Sequence, residues 1–372
     1  MNSNAHKPSS AGPLQGLKGV LLGGIGPAPF AAMLLADLGA AITCIDRPGS
    51  ALANTSLHEA SGIFRRGQQV VELDLTSDLG RESAWKLIDD ADLLIEGFRP
   101  GVLEKLGFGP TVCHSRNPRL VIGRITGWGQ EGPLATSPGH DLNYLALTGA
   151  LAAMAPRQGA DGRAIPLNLC GDFAGGGLWA CFGMLAAIHE RSQSGLGQVV
   201  DAAMVDGVLS LMSMAFAAYQ LGTLKVPPGS SALDGGAHFY DTYFCEDGKE
   251  ISVGAVELQF YEKLSEATGL VDEKPADRFD ETRWPALKTQ LARHLQQRNR
   301  DAWCSDARMS SACVAPVLGL DEVAAHPHHI ARRSFMTSGS MTLPAPGPRF
   351  SRTPAATPDG YAIAASESAI HS

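Results

Sequence analysis

The feature that most constrains this 372-residue chain is an alternation of short apolar runs with helix-length amphipathic stretches in its first half. Residues 17–22 read as a short buried strand, GGIGPAP as a turn, residues 30–38 as a helix and AITCID (Ala41–Asp46) as a second strand. A β-turn-α-β unit of this kind belongs to a parallel sheet covered by helices, because the crossover returns the chain to its starting direction. VVELDL (residues 70–75), ADLLIEGF (91–98) and LVIGRI (120–125) repeat the strand pattern. The chain is therefore expected to be α/β to about residue 205.

The later chain reads differently. CGDFAGGGLWACFGMLAAIHERSQSG is a glycine cluster leading into an apolar helix that ends in charge and then Gly195, and a second apolar helical run extends from Met204 to Gly222. KVPPGSSALDGG has the composition of a linker, which puts a domain boundary near residue 228. HFYDTYFCEDGKEISVGA alternates around the turn EDGK as a β-hairpin does, and residues 258–268 and 284–295 look helical. MTLPAPGPRFSRTPAATPDG holds too much proline for a helix or central strand and is expected to lie as a tail over another surface.

Composition narrows the function classes. Length alone favours two domains at roughly 150 residues each. Hydrophobic residues make up 44% against 18% charged, which suits a large interior and not disorder. The net charge of −8 argues against nucleic acid or anionic lipid as the main partner. Seven cysteines without a CxxC pair suggest a reducing compartment, and the polar start together with the lack of a long uncharged apolar run leads us to expect a cytoplasmic protein with no membrane partner.

Gly24 and Gly26 begin a G-x-G-x-x-G, with Asp46 about where a ribose-binding acid would stand. Pro29 takes the third glycine's place and Pro27 removes a backbone donor, so the pattern reads as a tight turn and not as a dinucleotide site. His140 and Asp141 in GHDLNYLALTGAL precede an apolar helical run, where a lone histidine is usually a cap or hydrogen-bonding group. Asp172 in NLCGDFAGGG could be an ordinary N-cap, but capping does not explain the three glycines after it, which let a ligand or another backbone come close. Glu257 in VGAVELQF, taken alone, reads as a solvent-facing acid at a helix start. His326, His328 and His329 match no standard zinc spacing and are expected in a loop, Asp234-Gly235-Gly236 reads as turn chemistry, and Cys44, Cys170 and Cys181 read as small core residues.

The segments GLKGVLLGGIGPAPFAAMLLADLGAAITCIDRP, LLIEGFRPGVLEKLGFGP, ITGWGQEGP, GHDLNYLALTGAL, NLCGDFAGGG, GQVVDAAMVDG, LDGGAHFYDTY and VGAVELQFY follow one another in the order of a known family. From about residue 16 to 353 the chain resembles the class III CoA-transferase superfamily, and within it the branch that racemises 2-methylacyl-CoA thioesters. The resemblance implies that Arg47 meets the nucleotide of coenzyme A, with Leu73, Asp74, Leu75, Thr76 and Arg99 lining the same groove. Arginine suits this because its planar fork binds phosphate oxygens in pairs. Relatives often carry basic residues just ahead of the VELDL strand, where this chain has Gly67-Gln68-Gln69; Arg65 and Arg66, slightly earlier, are the candidates to compensate.

The resemblance also implies that Asp172 is the carboxylate used as a nucleophile by transferases and as a base by racemases. It implies that His140 marks the racemase branch, that Glu257 orients it, and that Gly139, Asp141, Leu142, Asn143 and Tyr144 shape the acyl pocket. No metal and no cofactor beyond the CoA moiety of the substrate is expected. The implied architecture is a large domain with a parallel Rossmann-like sheet (residues 1–205, completed by 330–372), a linker (206–229), a smaller α+β domain (230–322) and a return segment with the tail (323–372). Two such chains would interlock as a homodimer, with Glu257 reaching His140 of the other subunit.

A thioester α-proton is weakly acidic, so inverting that carbon needs a base on one face, an acid on the other and an oxyanion site for the enolate. His140 and Asp172 would supply the two faces, and the glycine-rich helix start would aim backbone N–H groups at the thioester oxygen. The expected activity is a racemase, an isomerase that interconverts (R)- and (S)-2-methylacyl-CoA by 1,1-proton transfer. Two other classes compete: a CoA transferase with Asp172 as nucleophile, and an acyl-CoA-binding protein without turnover, suggested by Gln68 and Gln69.

Overall fold

A computed structural model describes residues 12–49, 62–154, 164–225, 228–339, 341–355 and 362–363. The chain divides into two compact units, one of Met1–Thr148, Pro166–Leu211 and Arg333–Ser372, the other of Gly149–Ile165 and Met212–Arg332.

In the first unit β1 (Lys18–Leu22), β2 (Ala41–Asp46), β3 (Gln69–Glu72), β4 (Leu93–Glu96), β5 (Val121–Thr126) and β6 (Val199–Ala203) lie parallel in the order β3-β2-β1-β4-β5-β6. The two-residue strand Ala362–Ile363 joins in parallel beside β3. The VVELDL strand is shorter than its apolar pattern suggests. Asp74 bends the chain there, its Oδ1 accepting from Thr76 N at 2.9 Å and Thr76 Oγ1 at 2.6 Å. Helix α1 (Pro27–Asp37) starts three residues before the apolar run, since proline suits the first helical turn.

Strand alternation gives the sheet two covered faces. Leu21, Cys44, Leu93, Ile95 and Val121 pack with Ala28, Ala31 and Leu35 of α1 on one side. Val20, Leu22, Ile45, Leu94 and Ile122 pack on the other with Ala84 and Ile88 of α2 (Asp78–Asp89) and Cys113 of α3 (Pro110–Arg116). Successive residues pointing oppositely are what continuous apolar runs provide when both faces are buried.

A ten-residue π-helical stretch, Leu169–Leu178, runs directly into α5 (Trp179–Ser194). By length and apolarity the continuous helix reaches what a membrane crossing needs, with a mean hydropathy of 1.3. Ala180, Cys181, Met184 and Ala187 nevertheless bury its inner side in the core shared with α1 and the sheet. Its glycines bring other backbones close, the second of the two uses the sequence left open. A methyl group on Gly207, in α6 (Met204–Leu211), would stand 2.0 Å from Gly175 O, and one on Gly177 would stand 2.8 Å from Pro27 O.

The second unit holds β7 (Tyr240–Phe244), β8 (Glu250–Gly254) and β9 (Val314–Pro316) as an antiparallel sheet. The hairpin turns at EDGK with Gly248 at φ 73°. Helices α7 (Leu258–Thr268) and α8 (Trp284–Leu295) occupy the spans their periodicity predicts, and Tyr261, Leu264, Leu291 and Leu295 pack with Phe239, Ile251 and Val253. Asp234 closes its turn by accepting from Ser231 N at 2.8 Å and Gly229 N at 2.9 Å.

The proline-rich tail opens with a two-stranded antiparallel ladder of β10 (Phe335–Ser338) and β11 (Met341–Pro344), which has no central strand, and Pro344 stands at its end where the missing donor matters least. One expectation is corrected. His328 and His329 lie on a helix, Pro327–Arg332, and not in a loop, because Pro327 opens it. Among the described residues no group of three or more His, Cys, Asp or Glu could hold a metal. Cys44 and Cys181 are core residues, while Cys170 is only half-buried.

Candidate active site

Strand order reverses between β1 and β4, so the chain leaves their carboxyl ends in opposite directions and opens a crevice there. The turn after β1 and the loop after β4 flank it. Gly26, capping α1 at φ 68°, lies in that turn, and a methyl group added to it would stand 3.6 Å from Asp172 Oδ2. The carboxyl of Asp172 thus faces the end of β1, at the switch point of the sheet.

Asp172 sits in the first turn of the π-helical stretch. Leu167, at φ 56°, turns the chain into it in a backbone form that bulky residues rarely adopt. The peptide N–H groups of Gly171 and Asp172 both donate to Asp141 Oδ1 at 2.7 Å. These two helix-start donors, expected to turn toward a thioester oxygen, are already engaged. Burial pushes the Asp172 carboxyl up to about 6, with the Asp141 charge adding to the rise and Asn168's hydrogen bond and His140 opposing it.

His140 is exposed and caps helix α4 (Asp141–Leu147); its backbone N–H donates to Asn143 Oδ1 at 3.0 Å. Asn143 therefore has a structural task in holding the histidine's backbone. Gly139 is half-buried and Leu142 exposed, whereas Asp141 and Tyr144 are buried. The Tyr144 ring meets Trp128 edge to face at 4.8 Å, and a methyl group on Gly127 would stand 2.4 Å from its hydroxyl oxygen. Burial, then the Asp172 charge, push the Tyr144 hydroxyl up to about 12 against the pull of Arg99, so it remains a hydrogen-bond donor at neutral pH.

Arg47 is exposed just past β2, beside the Leu73-Asp74-Leu75-Thr76 segment that follows β3. Hydrogen bonds from Thr76 hold the Asp74 carboxyl below the usual range, and Arg47 and Arg81 add to this. Arg99 is exposed on the loop between β4 and the short helix Val102–Lys105. Arg65 and Arg66, the basic residues nearest Gln68 and Gln69, are both engaged by acids. Arg65 is paired with Asp46 at 3.0 Å, and Arg66 is buried against Asp37 with its Nη1 donating to Pro344 O at 2.9 Å. The first of these pairs also occupies the acid of the incomplete dinucleotide pattern. Glu257, at the start of α7, is exposed and belongs to the second unit.

The model of CoA-transferase family III matches residues 14–361. The chain belongs to this family. It is 41% identical over 343 residues to the α-methylacyl-CoA racemase of Homo sapiens, spanning 92% of this chain and 87% of that protein. It is 28% identical over 351 residues to the acetyl-CoA:oxalate CoA-transferase of Acetobacter aceti, spanning 90% and 88%. Among solved structures, a CAIB/BAIF family protein from Brucella suis superposes with a TM-score of 0.80 at 24% identity, covering 95% of this chain and 96% of that one. Rv3272 from M. tuberculosis superposes at 0.78 and 26%, covering 94% and 97%.

Several residues of this family III site escape sequence reasoning. Asn168, four positions before Asp172, hydrogen-bonds its carboxyl. Phe173, the next residue, packs against Phe30 and Phe64, at 4.7 and 5.5 Å between ring centres. The loop bearing Arg99 is anchored from inside: Glu96 Oε2 accepts from Phe98 N at 2.7 Å, and Arg124 bridges Glu96 at 2.8 Å and Glu104 at 2.9 Å. The visible signal was charge within apolar strands, at Glu96 in LLIEGF and Arg124 in VIGRIT.

Proposed function

We propose that this chain is an acyl-CoA racemase that interconverts (R)- and (S)-2-methylacyl-CoA through an enolate, with His140 and Asp172 as the acid and base. The observation that carries the reading is a half-buried carboxyl, poised near 6, that shares its surroundings with His140 at the switch point of the sheet. A group titrating near the working pH can both take and return a proton. At pH 7 Asp172 is mostly ionised and can remove the α-proton on its side, while His140 delivers one from the other, and the reverse passage exchanges the roles. Identity to two α-methylacyl-CoA racemases, 41% and 39%, exceeds the 35% to a CaiB/BaiF CoA-transferase family protein and the 28% to acetyl-CoA:oxalate CoA-transferase.

The same reading gives Arg47, Arg99 and the Leu73–Thr76 segment to the CoA moiety, and makes Glu257 the residue that orients His140 within a homodimer. Co-expressing His140→Ala and Glu257→Ala chains tests the latter, because mixed dimers regain an intact site only if the two residues come from different subunits.

The direct test is deuterium uptake at the α-carbon of resolved 2-methylacyl-CoA in heavy water, with chiral analysis of the product. Exchange that falls about 10²–10⁴-fold in His140→Ala or Asp172→Asn supports the proposal. No exchange by the unaltered protein with any branched acyl-CoA refutes it. The transferase relatives and the accessible Asp172 favour one second reading, CoA transfer through an Asp172 thioester. Trapping that thioester with hydroxylamine during turnover selects it.

A further inference from the structure

We infer that Asp141 is a positioning residue for Asp172, one that fixes the acid's backbone and sets its charge state, and not a wall of the acyl pocket. The inference rests on the reading of Asp172 as an acid-base group. Its ground is geometric. Asp141 opens helix α4, immediately after His140, and is buried. Its Oδ1 receives both the Gly171 and Asp172 peptide N–H groups at 2.7 Å, a link across thirty positions of sequence that ties the two catalytic segments together. A methyl group on Gly171 would stand 2.5 Å from that same oxygen, so the contact needs glycine there.

The other oxygen, Oδ2, is buried without a hydrogen-bond partner. A carboxylate whose second oxygen gains nothing from its surroundings is an expensive way to hold two N–H groups, since an amide oxygen would accept them as well. What an amide does not bring is negative charge next to Asp172. That charge opposes ionisation of Asp172, which burial alone already disfavours. The other groups facing Asp172 are His140 and Tyr144, on either side of Asp141 in the chain, and Asn168 from the stretch before it; His140 and Asn168 pull in the opposite direction.

Two variants separate the roles. Asp141→Asn keeps an acceptor for the two N–H groups and removes the charge; Asp141→Ala removes both. The first readout needs no catalysis: the carbon-13 signal of the Asp172 carboxyl, assigned by its loss in Asp172→Asn, is followed against pH. In Asp141→Asn its midpoint moves from about 6 toward the ordinary 3.8. The second is α-proton exchange measured against pH for each enantiomer. The acid-side limb that follows Asp172 moves to lower pH in Asp141→Asn, with the plateau lowered only as a weaker base requires, whereas Asp141→Ala loses about a further 10²-fold in plateau rate through misplacement of the acid. An unmoved midpoint in Asp141→Asn overturns the electrostatic half of the inference, and a full plateau rate in Asp141→Ala overturns the positioning half. If the unaltered protein titrates near 6 but exchanges no protons, the racemase reading fails and the NMR comparison still decides the role of Asp141 in charge.

Discussion

Replacing Asp172 by asparagine is expected to stabilise the protein at neutral pH while destroying its proposed chemistry. In the folded chain the carboxyl titrates near 6, against an ordinary 3.8. The native state therefore binds more protons than the unfolded state between those values, and stability falls as pH rises through that window. The two decades of difference correspond to about 3 kcal/mol for a fully shielded group at about 1.4 kcal/mol each. Asp172 is only half-buried, and solvent screening reduces this to about 1–2 kcal/mol. Asparagine keeps the shape and an oxygen for the Asn168 hydrogen bond but carries no charge. Thermal unfolding of both proteins at pH 4 and pH 7.5 measures the effect. The two melt nearly together at pH 4, and the variant melts a few degrees higher at pH 7.5. A gap between them that does not change with pH, or one that turns against the variant at pH 7.5, refutes the reasoning.

Further expectations bear on the scaffold and the groove. Gly207→Ala drives a methyl group into the Gly175 carbonyl and is expected to cost about 1–3 kcal/mol or more, read by denaturant unfolding. Arg66→Ala leaves Asp37 buried and unpaired, at a cost of about 3–5 kcal/mol, whereas replacing both partners with apolar residues of similar volume costs far less. Arg99→Ala is expected to weaken binding of coenzyme A by about tenfold or more without a change in melting temperature, measured by calorimetry, since its side chain is exposed and charge-assisted phosphate contacts are worth roughly 1.5–3 kcal/mol.

Five of the six longer parallel strands were legible because each is a short apolar run, a local signal, while Val199–Ala203, with Asp201 inside it, was not read as a strand. Helices Leu258–Thr268 and Trp284–Leu295 were legible from local periodicity. Proline at a helix start was missed: Pro27 and Pro327 each open a helix where a turn and a loop were expected. Local pattern also missed the use of charge. Arg65 and Arg66 look like free basic residues beside a nucleotide groove, yet Asp46 and Asp37, at distant positions in sequence, neutralise them.

For this chain the sequence alone determined the first five strands in their chain order, the tight turn after the first strand, and the residue types that proton transfer requires. Those follow from periodicity and side-chain chemistry, which each segment carries with it. Only the tertiary structure decided that Gly175 and Gly177 receive neighbouring backbones, that Asp141 faces inward to grip the peptide beneath Asp172, and that this acid titrates near 6. Close approach, burial and the field of a second carboxylate arise between segments far apart in sequence, and no single segment records its distance from another.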